Sequence, residues 1–400
     1  MGAGFNTSHM LDAVRAPMQC NPRLEALVCL RCEAEHPLDE HDGGCPRCLR
    51  DGFPSNLAVR YRTAPDATAA TVDLPYPGRL SLGEGGTPQL QLPGLAAAIG
   101  VGRLSLKLEW CNPTGSHKDR MSAQLVARAS DRGYREMVGA SSGNGGVSIA
   151  AYAARAGLAS EIVATPELPP AYRAALHGYG AKVSYETDGL ARWRRVAERV
   201  AAGAYAATNY RLPAVGTDPF GVEGYKTIAA EIAAAGEVPD LIVVPTSRGD
   251  LLSGLHLGFR ELRRAAVRLV VAEPFPRLSR VLAGEDYRGV FEGKTTQFSI
   301  AGSTVTYQAV HALRESRGTA VAVNDESAHA ARRRLAASGL HAELSSAAAL
   351  AALQALAADG KLRERHALLV LTGSGFRDPT TWSGDQPKGA VRPEQGESRS

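Results

Sequence analysis

The sequence predicts an α/β fold in which mainly parallel sheets are divided between two domains. Short apolar strands alternate with helical stretches through the middle of the chain, and this rhythm is typical of parallel sheets joined by right-handed crossovers. A length of 400 residues exceeds what one simple core usually holds and favours two domains with appendages. Ligands in such folds bind beyond the carboxyl ends of strands. We therefore expect the functional residues in loops where a strand ends and a helix begins.

The individual elements follow from hydrophobic periodicity. The clearest strand is at 103–110, because three leucines alternate there with polar residues. Glycines that follow periodic or Ala-rich stretches mark helix ends. The further predicted strands are 136–140, Glu161–Thr165, Lys182–Tyr185, Leu241–Val244, Val267–Ala272 and Ala367–Leu371. The predicted helices are Met121–Arg132, Val147–Ala156, Pro170–His177, Gly189–Ala202, Leu251–Arg263 and Ser345–Ala358.

The composition is that of an ordinary soluble protein, with 44% hydrophobic and 22% charged residues. The formal net charge is only +4 and no Lys/Arg-rich block occurs, so we expect neither a nucleic acid nor a membrane as partner. We find no secretory signal and no apolar run of membrane-spanning length, and the predicted location is the cytoplasm. The polar residues from Asp385 to Ser400 predict a disordered tail.

The loop Asn112–Arg120 carries the strongest candidate for a reactive side chain. Gly115 permits a tight turn, and Ser116 can cap the helix that follows. Lys118 then lies in the first helical turn, near the positive end of the helix dipole. Its pKa should fall there, which favours the neutral amine. The alternative for this residue alone is an ordinary solvated lysine.

Three further strand-to-helix loops have features of ligand-binding sites. In the loop 141–146, small residues let backbone N–H groups and two serine hydroxyls approach a carboxylate or phosphate, and Asn144 can donate to a phenolate-like oxygen. An ordinary glycine-rich turn is the alternative there. The loop 245–254 also has the layout of an anion cradle. Thr372, after the last strand, offers a neutral partner for a heteroaromatic nitrogen.

In chain order these loops resemble the pyridoxal-phosphate (PLP) enzymes of the tryptophan-synthase β fold, and among them threonine synthase most closely. The resemblance covers about residues 80–380. The matching motifs are Leu82–Pro88, Asn112–Arg120, Ser141–Asn144, Val222–Thr227 and Leu371–Pro379. Accidental agreement of five ordered motifs is improbable.

The resemblance implies that pyridoxal 5'-phosphate binds in the cleft between the two domains. It makes Lys118 the catalytic residue, which holds the cofactor and removes the substrate's α-proton. Because Thr372 is neutral, elimination and replacement should be favoured over transamination. The implied cofactor-binding residues are Lys118, His117, Asn144, Ser247, Arg248, Gly249, Asp250 and Thr372. The implied substrate-binding residues are Thr87, Ser141, Ser142 and Gly143.

A small metal-binding segment is expected near the N-terminus. Two CxxC pairs separated by twelve residues are formed by Cys29, Cys32, Cys45 and Cys48. This spacing fits a closed four-thiolate zinc site with a structural role, and it looks like the zinc ribbon that precedes many threonine synthase-like chains. Free or disulfide-linked cysteines are the alternative. Cys20 has no partner in this scheme, Cys111 is expected to be buried, and His36 and His41 are expected to be solvated.

The domain division that follows has five parts. They are a flexible N-terminus (1–24), a zinc-ribbon-like segment (25–52), a large PLP-binding domain (53–120 and 216–382), a smaller α/β domain (121–215) and a disordered tail (383–400). The expected partner is a small amino-acid substrate, and the family suggests a homodimer.

Several positions depart from the threonine synthase pattern and cluster around the substrate and phosphate. The family's Gly-rich phosphate loop is replaced by Ser247–Asp250, and His117 stands where Phe is common. Gly145 replaces a polar residue, Ser374 replaces a His, and 343–346 keeps part of a Glu-Pro-Ser-Ser segment. The sequence therefore supports the chemistry better than it supports threonine as the product.

Three hypotheses follow. The first is a threonine synthase-like lyase whose substrate has an anionic leaving group, with O-phosphohomoserine as the default. The second is a β-elimination or β-replacement enzyme on a serine-derived substrate, such as a dehydratase, a diaminopropionate lyase or a cysteate-synthase-like enzyme. The third is an inactive zinc-ribbon binding protein, against which the intact Lys118, Asn144 and Thr372 argue.

Overall fold

The computed structural model describes residues 20–39, 43–62, 71–78, 80–264 and 266–378. The predicted disordered tail and most of the predicted flexible N-terminus lie outside these residues. Within the described part of the chain, no helix is long and apolar enough to cross a membrane.

Thirteen strands occur in the described residues. They are β1 (Leu24–Cys29), β2 (Glu35–His36), β3 (Leu57–Tyr61), β4 (Gln89–Gln91), β5 (Arg103–Leu108), β6 (Glu136–Ala140), β7 (Ala159–Ala164), β8 (Lys182–Tyr185), β9 (Tyr205–Ala206), β10 (Leu241–Pro245), β11 (Arg268–Glu273), β12 (Thr319–Ala322) and β13 (His366–Leu371).

Thirteen α-helices accompany these strands in the same described ranges. They are α1 (Pro46–Arg50), α2 (Pro93–Ile99), α3 (Lys118–Asp131), α4 (Asn144–Ala156), α5 (Pro170–Gly178), α6 (Gly189–Ala201), α7 (Pro219–Glu223), α8 (Lys226–Ala234), α9 (Asp250–Glu261), α10 (Leu278–Leu282), α11 (Tyr307–Glu315), α12 (Asp325–Ala337) and α13 (Leu344–Ala357).

The strands form three sheets. The larger sheet has the order β12-β11-β10-β13-β5-β4 and is parallel except for the edge strand β4. The smaller sheet, β8-β7-β6-β9, is parallel throughout. The N-terminal strands pair antiparallel in the order β2-β1-β3. The predicted α/β fold with two parallel sheets is confirmed, while the domain boundaries stay a prediction.

The path of the chain brings the two parallel sheets together. After β5 the chain leaves the larger sheet, forms β6 to β9 of the smaller sheet, and returns to the larger sheet at β10. Strand β13 lies between β10 and β5, so the carboxyl ends of these three strands are neighbours. Ligands bind at such strand ends in open parallel sheets, and the expected loops are the ones that meet there.

Predicted and observed helices differ most at their N-termini. Helices α3 and α4 each begin three residues before the predicted start, at Lys118 and Asn144. Polar and small residues occupy these first turns, and hydrophobic periodicity does not detect such residues as helical.

Close packing holds the helices against the sheets. Residues 344–353 of α13 are all buried, and this helix contacts β10, β11 and β13, as expected for a helix that is apolar on every side. Gly224 allows the segment between α7 and α8 to contact α3. A Cβ at Gly224 would lie 2.0 Å from the carbonyl oxygen of Arg120, so no side chain fits there.

A buried ion network joins β5 to the first turn of α3. Arg120 Nε lies 2.7 Å from Glu109 Oε2, and Arg120 Nη1 lies 2.6 Å from Glu231 Oε1. Lys107 Nζ lies 2.6 Å from Glu231 Oε2. The side chains of Arg120 and Glu109 are 1% and 0% exposed. Since buried charges are stable only when they are paired, the network fixes α3 against β5 and α8.

We expect Arg120→Ala to lower the free energy of unfolding by about 3–5 kcal/mol, because it leaves the buried Glu109 carboxylate without its cation. Urea denaturation followed by circular dichroism measures the change. The matched control is Arg103→Ala. Arg103 also lies on β5 and forms an exposed ion pair with Glu237, so its loss should lower the free energy of unfolding by at most about 1 kcal/mol. Equal losses in the two variants would contradict this account of the network.

Candidate active site

Four strand-to-helix loops meet around a cavity of about 320 Å³. The loops follow β5, β10 and β13 of the larger sheet and β6 of the smaller sheet. The sequence-predicted site residues that line the cavity are His117, Lys118, Ser141, Ser142, Gly143, Asn144, Ser247, Arg248, Gly249, Asp250 and Thr372. Segments that are far apart in sequence therefore converge on one site, as expected from the strand order.

Lys118 presents its amine to this cavity from the first residue of α3. Nζ lies 3.4 Å from Tyr225 Oη, and among the described residues no carboxylate lies within ion-pair distance of it. Burial is the largest influence and lowers the pKa of Lys118, while Asp250 opposes the shift and Arg248 adds to it. The neutral amine is thereby favoured, with burial as the largest cause of the pKa shift.

His117 and Thr372 are joined by hydrogen bonds. His117 Nδ1 lies 3.1 Å from the carbonyl oxygen of Thr372, and the backbone N–H of His117 donates to the same oxygen at 3.0 Å. Burial lowers the pKa of His117, so the neutral ring carries its proton on Nδ1. His117 is also the N-cap of α3, without a side-chain cap bond. The expected cap, Ser116, instead accepts the N–H of Lys118 at 3.4 Å.

The loop between β6 and α4 is shaped by its two serines. Ser141 Oγ accepts the backbone N–H of Gly146 at 2.8 Å, and Ser142 Oγ accepts the N–H of Thr165 at 3.1 Å. Asn144 is the first residue of α4, a helix of 13 residues. Its N-terminal N–H groups and the small neighbouring side chains make this wall of the cavity a suitable place for an anion.

The loop after β10 keeps the shape of an anion cradle despite its charged residues. Gly249 has φ +105°, and a Cβ there would lie 2.3 Å from Ala309 Cβ, so only glycine fits. Helix α9 begins at the next residue, Asp250. The Asp250 carboxylate is held by Thr217 Oγ1 at 2.8 Å and by Gln308 Nε2 at 2.5 Å. The first turn of α9 therefore keeps its N–H groups beside the cavity while the carboxylate is bonded elsewhere.

Thr87, the remaining predicted substrate-binding residue, is not among the residues that line the cavity. It is buried, and its hydroxyl donates to Glu109 Oε1 at 2.7 Å and accepts from Arg120 Nη2 at 3.1 Å. Its hydroxyl belongs to the buried ion network, and its substrate-binding role stays a prediction.

Glu343 is a site residue that the sequence reasoning did not select. Its Oε2 accepts Asn144 Nδ2 at 2.9 Å and Ser299 Oγ at 3.1 Å. Burial raises the pKa of Glu343 to about 7, and the charge of Asp378 adds to the shift. The partial match of 343–346 to a family segment was the one signal in the sequence. The carboxyl group fixes the side chain of Asn144 and leaves one amide hydrogen of Asn144 available.

The four predicted metal ligands form a compact cluster beside β1 and β3. Cys29 and Cys48 have Sγ atoms 3.6 Å apart, and Cys32 and Cys45 have Sγ atoms 3.7 Å apart. All four sulfurs lie within 4.8 Å of one another. A tetrahedral zinc with bonds of about 2.3 Å requires sulfurs about 3.8 Å apart. The cluster therefore has the dimensions of a metal site.

The structure corrects two predictions, the burial of Cys111 and the solvation of His36. Cys111 is exposed, because it ends a short 3-10 turn after β5 at the rim of the sheet. His36 lies on β2, and its Nε2 is 3.4 Å from Cys45 Sγ, so it contacts the cysteine cluster. His41 lies outside the described residues.

Asn56 links the cysteine segment to the cavity. It directly precedes β3, and its Nδ2 donates to the carbonyl oxygen of Thr217 and to Gln308 Oε1, both at 2.9 Å. Both partners bond the Asp250 carboxylate. A continuous chain of hydrogen bonds thus runs from the N-terminal sheet to the first turn of α9.

Comparison with known proteins agrees with this geometry. The family pattern described as "Pyridoxal-phosphate dependent enzyme" matches residues 80–373. A threonine synthase from Halalkalibacterium halodurans is 33% identical over 320 residues, which cover 76% of this chain and 85% of that protein. A threonine synthase from Methanosarcina acetivorans is 30% identical over 393 residues, covering 89% of this chain and 93% of that protein.

Solved structures show the same fold. Maize serine racemase aligns with a TM-score of 0.64 at 20% identity, covering 72% of this chain and 88% of that chain. An O-ureido-L-serine synthase aligns with a TM-score of 0.61 at 25% identity, covering 73% of this chain and 89% of that chain.

We expect Glu343→Gln to change how stability depends on pH in the cofactor-free protein. The pKa of Glu343 is about 7 in the folded chain against an ordinary value of 4.5, so between these values the folded state holds a proton that the unfolded state has lost. Rising pH through this window therefore lowers the stability of the native protein, by up to about 1.4 kcal/mol per pH unit. The variant should lose this contribution.

Urea unfolding at several pH values between 5 and 8 measures the difference. Glu364→Gln, at an exposed position, is the control and should follow the native pH profile. Parallel profiles for the native protein and Glu343→Gln would show that Glu343 ionises normally.

Proposed function

The chain belongs to the family of pyridoxal-phosphate-dependent enzymes, and on that premise we propose that it is a threonine synthase-like lyase. The proposed reaction removes an anionic leaving group, by default phosphate from O-phosphohomoserine, and adds water to give threonine. The observation that carries the proposal is the identity of 30–33% to threonine synthases over 85–93% of their length, in a chain whose matching loops form one cavity around Lys118.

The cavity offers the groups that pyridoxal phosphate requires. Lys118 supplies a half-buried amine whose pKa is lowered by desolvation, which suits covalent attachment to an aldehyde. Gly249 and the N-terminus of α9 form a cradle in which a Cβ has no room, which suits a phosphate. Thr372 supplies a buried neutral hydroxyl for the pyridine nitrogen. We propose these residues, with His117, Asn144, Ser247, Arg248 and Asp250, as the cofactor site.

When bound, pyridoxal phosphate supplies an electron sink that acidifies the hydrogens beside the substrate's amino group and lets a side-chain leaving group depart. Lys118 is the group placed to remove the proton at the substrate's α-carbon, because its amine is favoured in the neutral form. The buried site would also exclude bulk water from this proton.

The loop after β6 would orient the substrate. Ser141, Ser142 and Gly143 precede the first turn of α4, whose N–H groups suit the α-carboxylate of an amino acid. Asn144 would direct its free amide hydrogen to the cofactor's phenolic oxygen while Glu343 holds the other side of the amide. The residues thus divide into one group that holds the cofactor and one that holds the substrate.

A second candidate keeps the same chemistry with another substrate. Arg248 and Asp250 in the phosphate loop and Gly145 after Asn144 depart from the threonine synthase pattern. An O-ureido-L-serine synthase shares the fold at 25% identity. These observations favour β-elimination or β-replacement on a serine-derived amino acid as the alternative. A cytoplasmic location and a homodimer stay predictions.

We also propose that the cysteine cluster binds a structural zinc ion. Four thiols at tetrahedral spacing leave no position open for a substrate. The backbone N–H of Arg31 lies 3.3 Å from Cys29 Sγ, an arrangement that stabilises a thiolate. The N-terminal sheet β2-β1-β3 has only three strands and would gain stability from the metal.

We expect the PLP-loaded protein to release phosphate from O-phosphohomoserine and to form threonine, and Lys118→Ala to reduce the rate at least about 10³-fold. Phosphate release and amino-acid analysis measure the reaction, with O-phosphoserine assayed in parallel. Lys182→Ala is the control, since this lysine on β8 is 62% exposed and should leave the rate unchanged. Consumption of O-phosphoserine with inert O-phosphohomoserine would favour the second candidate, and inertness of both would overturn the default substrate.

We expect the purified protein to contain about one zinc ion per chain, measured by atomic emission. Cys45→Ser should lose most of the metal, because three thiolates and a hydroxyl bind zinc far more weakly than four thiolates. Cys111→Ser, at an exposed cysteine outside the cluster, should keep it. Full metal content in Cys45→Ser would contradict the proposed ligand set.

A further inference from the structure

Two arginines from different elements of the fold line the cavity. Arg192 lies on α6, which packs against β6 and β7 of the smaller sheet, and Arg248 lies in the loop after β10 of the larger sheet. Both line the cavity. The resemblance to known enzymes implies no role for Arg192. Its hydrogen bonds and neighbouring charges indicate one.

Only some of the N–H donors of Arg192 have hydrogen-bond acceptors among the described residues. Its Nη1 donates to Ser142 Oγ at 3.1 Å. Its Nε is buried and has no acceptor among the described residues. The nearest carboxylate on its own helix, Asp188, accepts the backbone N–H groups of Leu190 and Ala191 at the N-cap. A guanidinium has five N–H donors, so Arg192 retains capacity for a ligand beside the proposed substrate loop.

Arg248 lies on the same side of the cavity. Its guanidinium carbon is 5.6 Å from the centre of the Trp193 ring, and Trp193 is the residue after Arg192 on α6. Burial lowers the pKa of Arg192, and the charge of Arg248 adds to this effect. The two cations are therefore close enough to repel each other.

Neither cation is neutralised within the protein. In the described part of the chain, no carboxylate lies within ion-pair distance of either guanidinium. Asp250 attracts Arg248, but its oxygens are bonded to Thr217 and Gln308. Two repelling, partly buried cations raise the free energy of the site unless anions bind there. The two arginines would therefore be stabilised by an anionic ligand.

The proposed ligands supply two anions besides the α-carboxylate. The cofactor phosphate belongs at the N-terminus of α9, which begins two residues after Arg248. Arg192 instead contacts Ser142, on the wall proposed for the substrate. An anion between Arg192 and Arg248 would consequently belong to the substrate's side chain.

We propose that Arg192, assisted by Arg248, forms a subsite for an oxyanion at the end of the substrate's side chain. The inference rests on the proposed function and narrows it: the substrate is an α-amino acid whose side chain ends in a phosphate, sulfonate or carboxylate. The planar guanidinium can present two parallel N–H groups to two oxygens of such an anion. An amino acid with a neutral side chain would leave Arg192 without an anionic partner.

Binding rather than turnover tests this subsite. Dissociation constants of the PLP-loaded protein are measured from the absorbance change of the cofactor, with O-phospho-L-homoserine, L-homocysteate, L-glutamate and L-homoserine as probes. We expect the native protein to bind at least one anionic probe about tenfold or more tightly than L-homoserine, and the strongest probe identifies the anion. A native protein that binds L-homoserine as tightly as every anionic probe overturns the proposal, whatever the variants show.

Variants then show whether Arg192 binds the anion itself or only supports the structure of the Ser142 loop. Arg192→Gln should weaken the preferred anionic probe about tenfold or more while leaving L-homoserine unchanged, and Arg192→Lys should keep part of the preference. Arg194→Gln, on an exposed residue of the same helix, is the matched control and should behave as the native protein. Equal weakening of charged and neutral probes by Arg192→Gln overturns the subsite, because it indicates disturbance of the Ser142 loop.

The outcome is independent of the proposed reaction. A preference for anionic probes without phosphate release would retain the subsite and reject O-phosphohomoserine lyase activity. Phosphate release without a preference would retain the lyase and reject the subsite.

Discussion

The position of the reactive lysine depends on the ion network around Arg120. This residue lies two positions after Lys118 in the first turn of α3, and it bonds Glu109 after β5 and Glu231 on α8. Buried charges of this kind tolerate little displacement, because each loses its partner when it moves. The network therefore determines where α3 begins and how deeply the amine of Lys118 lies between the sheets. The lowered pKa of that amine is in turn mainly a result of burial.

The sequence predicted the fold well where local periodicity is strong. The sequence predicted seven of the ten strands in the two parallel sheets to within two residues at both ends, because buried parallel strands are continuous apolar runs. It predicted the helices α5, α6, α9 and α13 equally well. It did not predict β9, with two residues, or α12, whose sequence is dominated by charged and small residues. Short strands and polar helices owe their existence to neighbours in space, and hydrophobic patterning carries little information about them.

The candidate site divides in the same way. Residues in loops that directly follow strands, such as Lys118 and Thr372, could be predicted because the strand order brings those loops together. The hydrogen bond of the Thr87 hydroxyl to Glu109 could not be predicted, because it joins two segments that only the folded chain brings together. Glu343 and Arg192 approach the site from helices or their N-terminal caps elsewhere in the chain. Their roles depend on tertiary contacts with Asn144 and Ser142, which no spacing in the sequence reveals.

The hydrogen bonds of Asn56 bear on how this chain can be shortened or recombined. The family pattern begins at residue 80, which suggests that the preceding segment could be removed as a separate module. Its removal would leave the amide of Gln308 and the carbonyl of Thr217 without the partner that now aligns them, directly beside Asp250. Buried polar groups that lose a partner are costly and distort their neighbours. The N-terminal segment thus stabilises the loop before α9 through Asn56. A chimaera with a different N-terminal segment would keep these hydrogen bonds only if the new segment carries an equivalent amide.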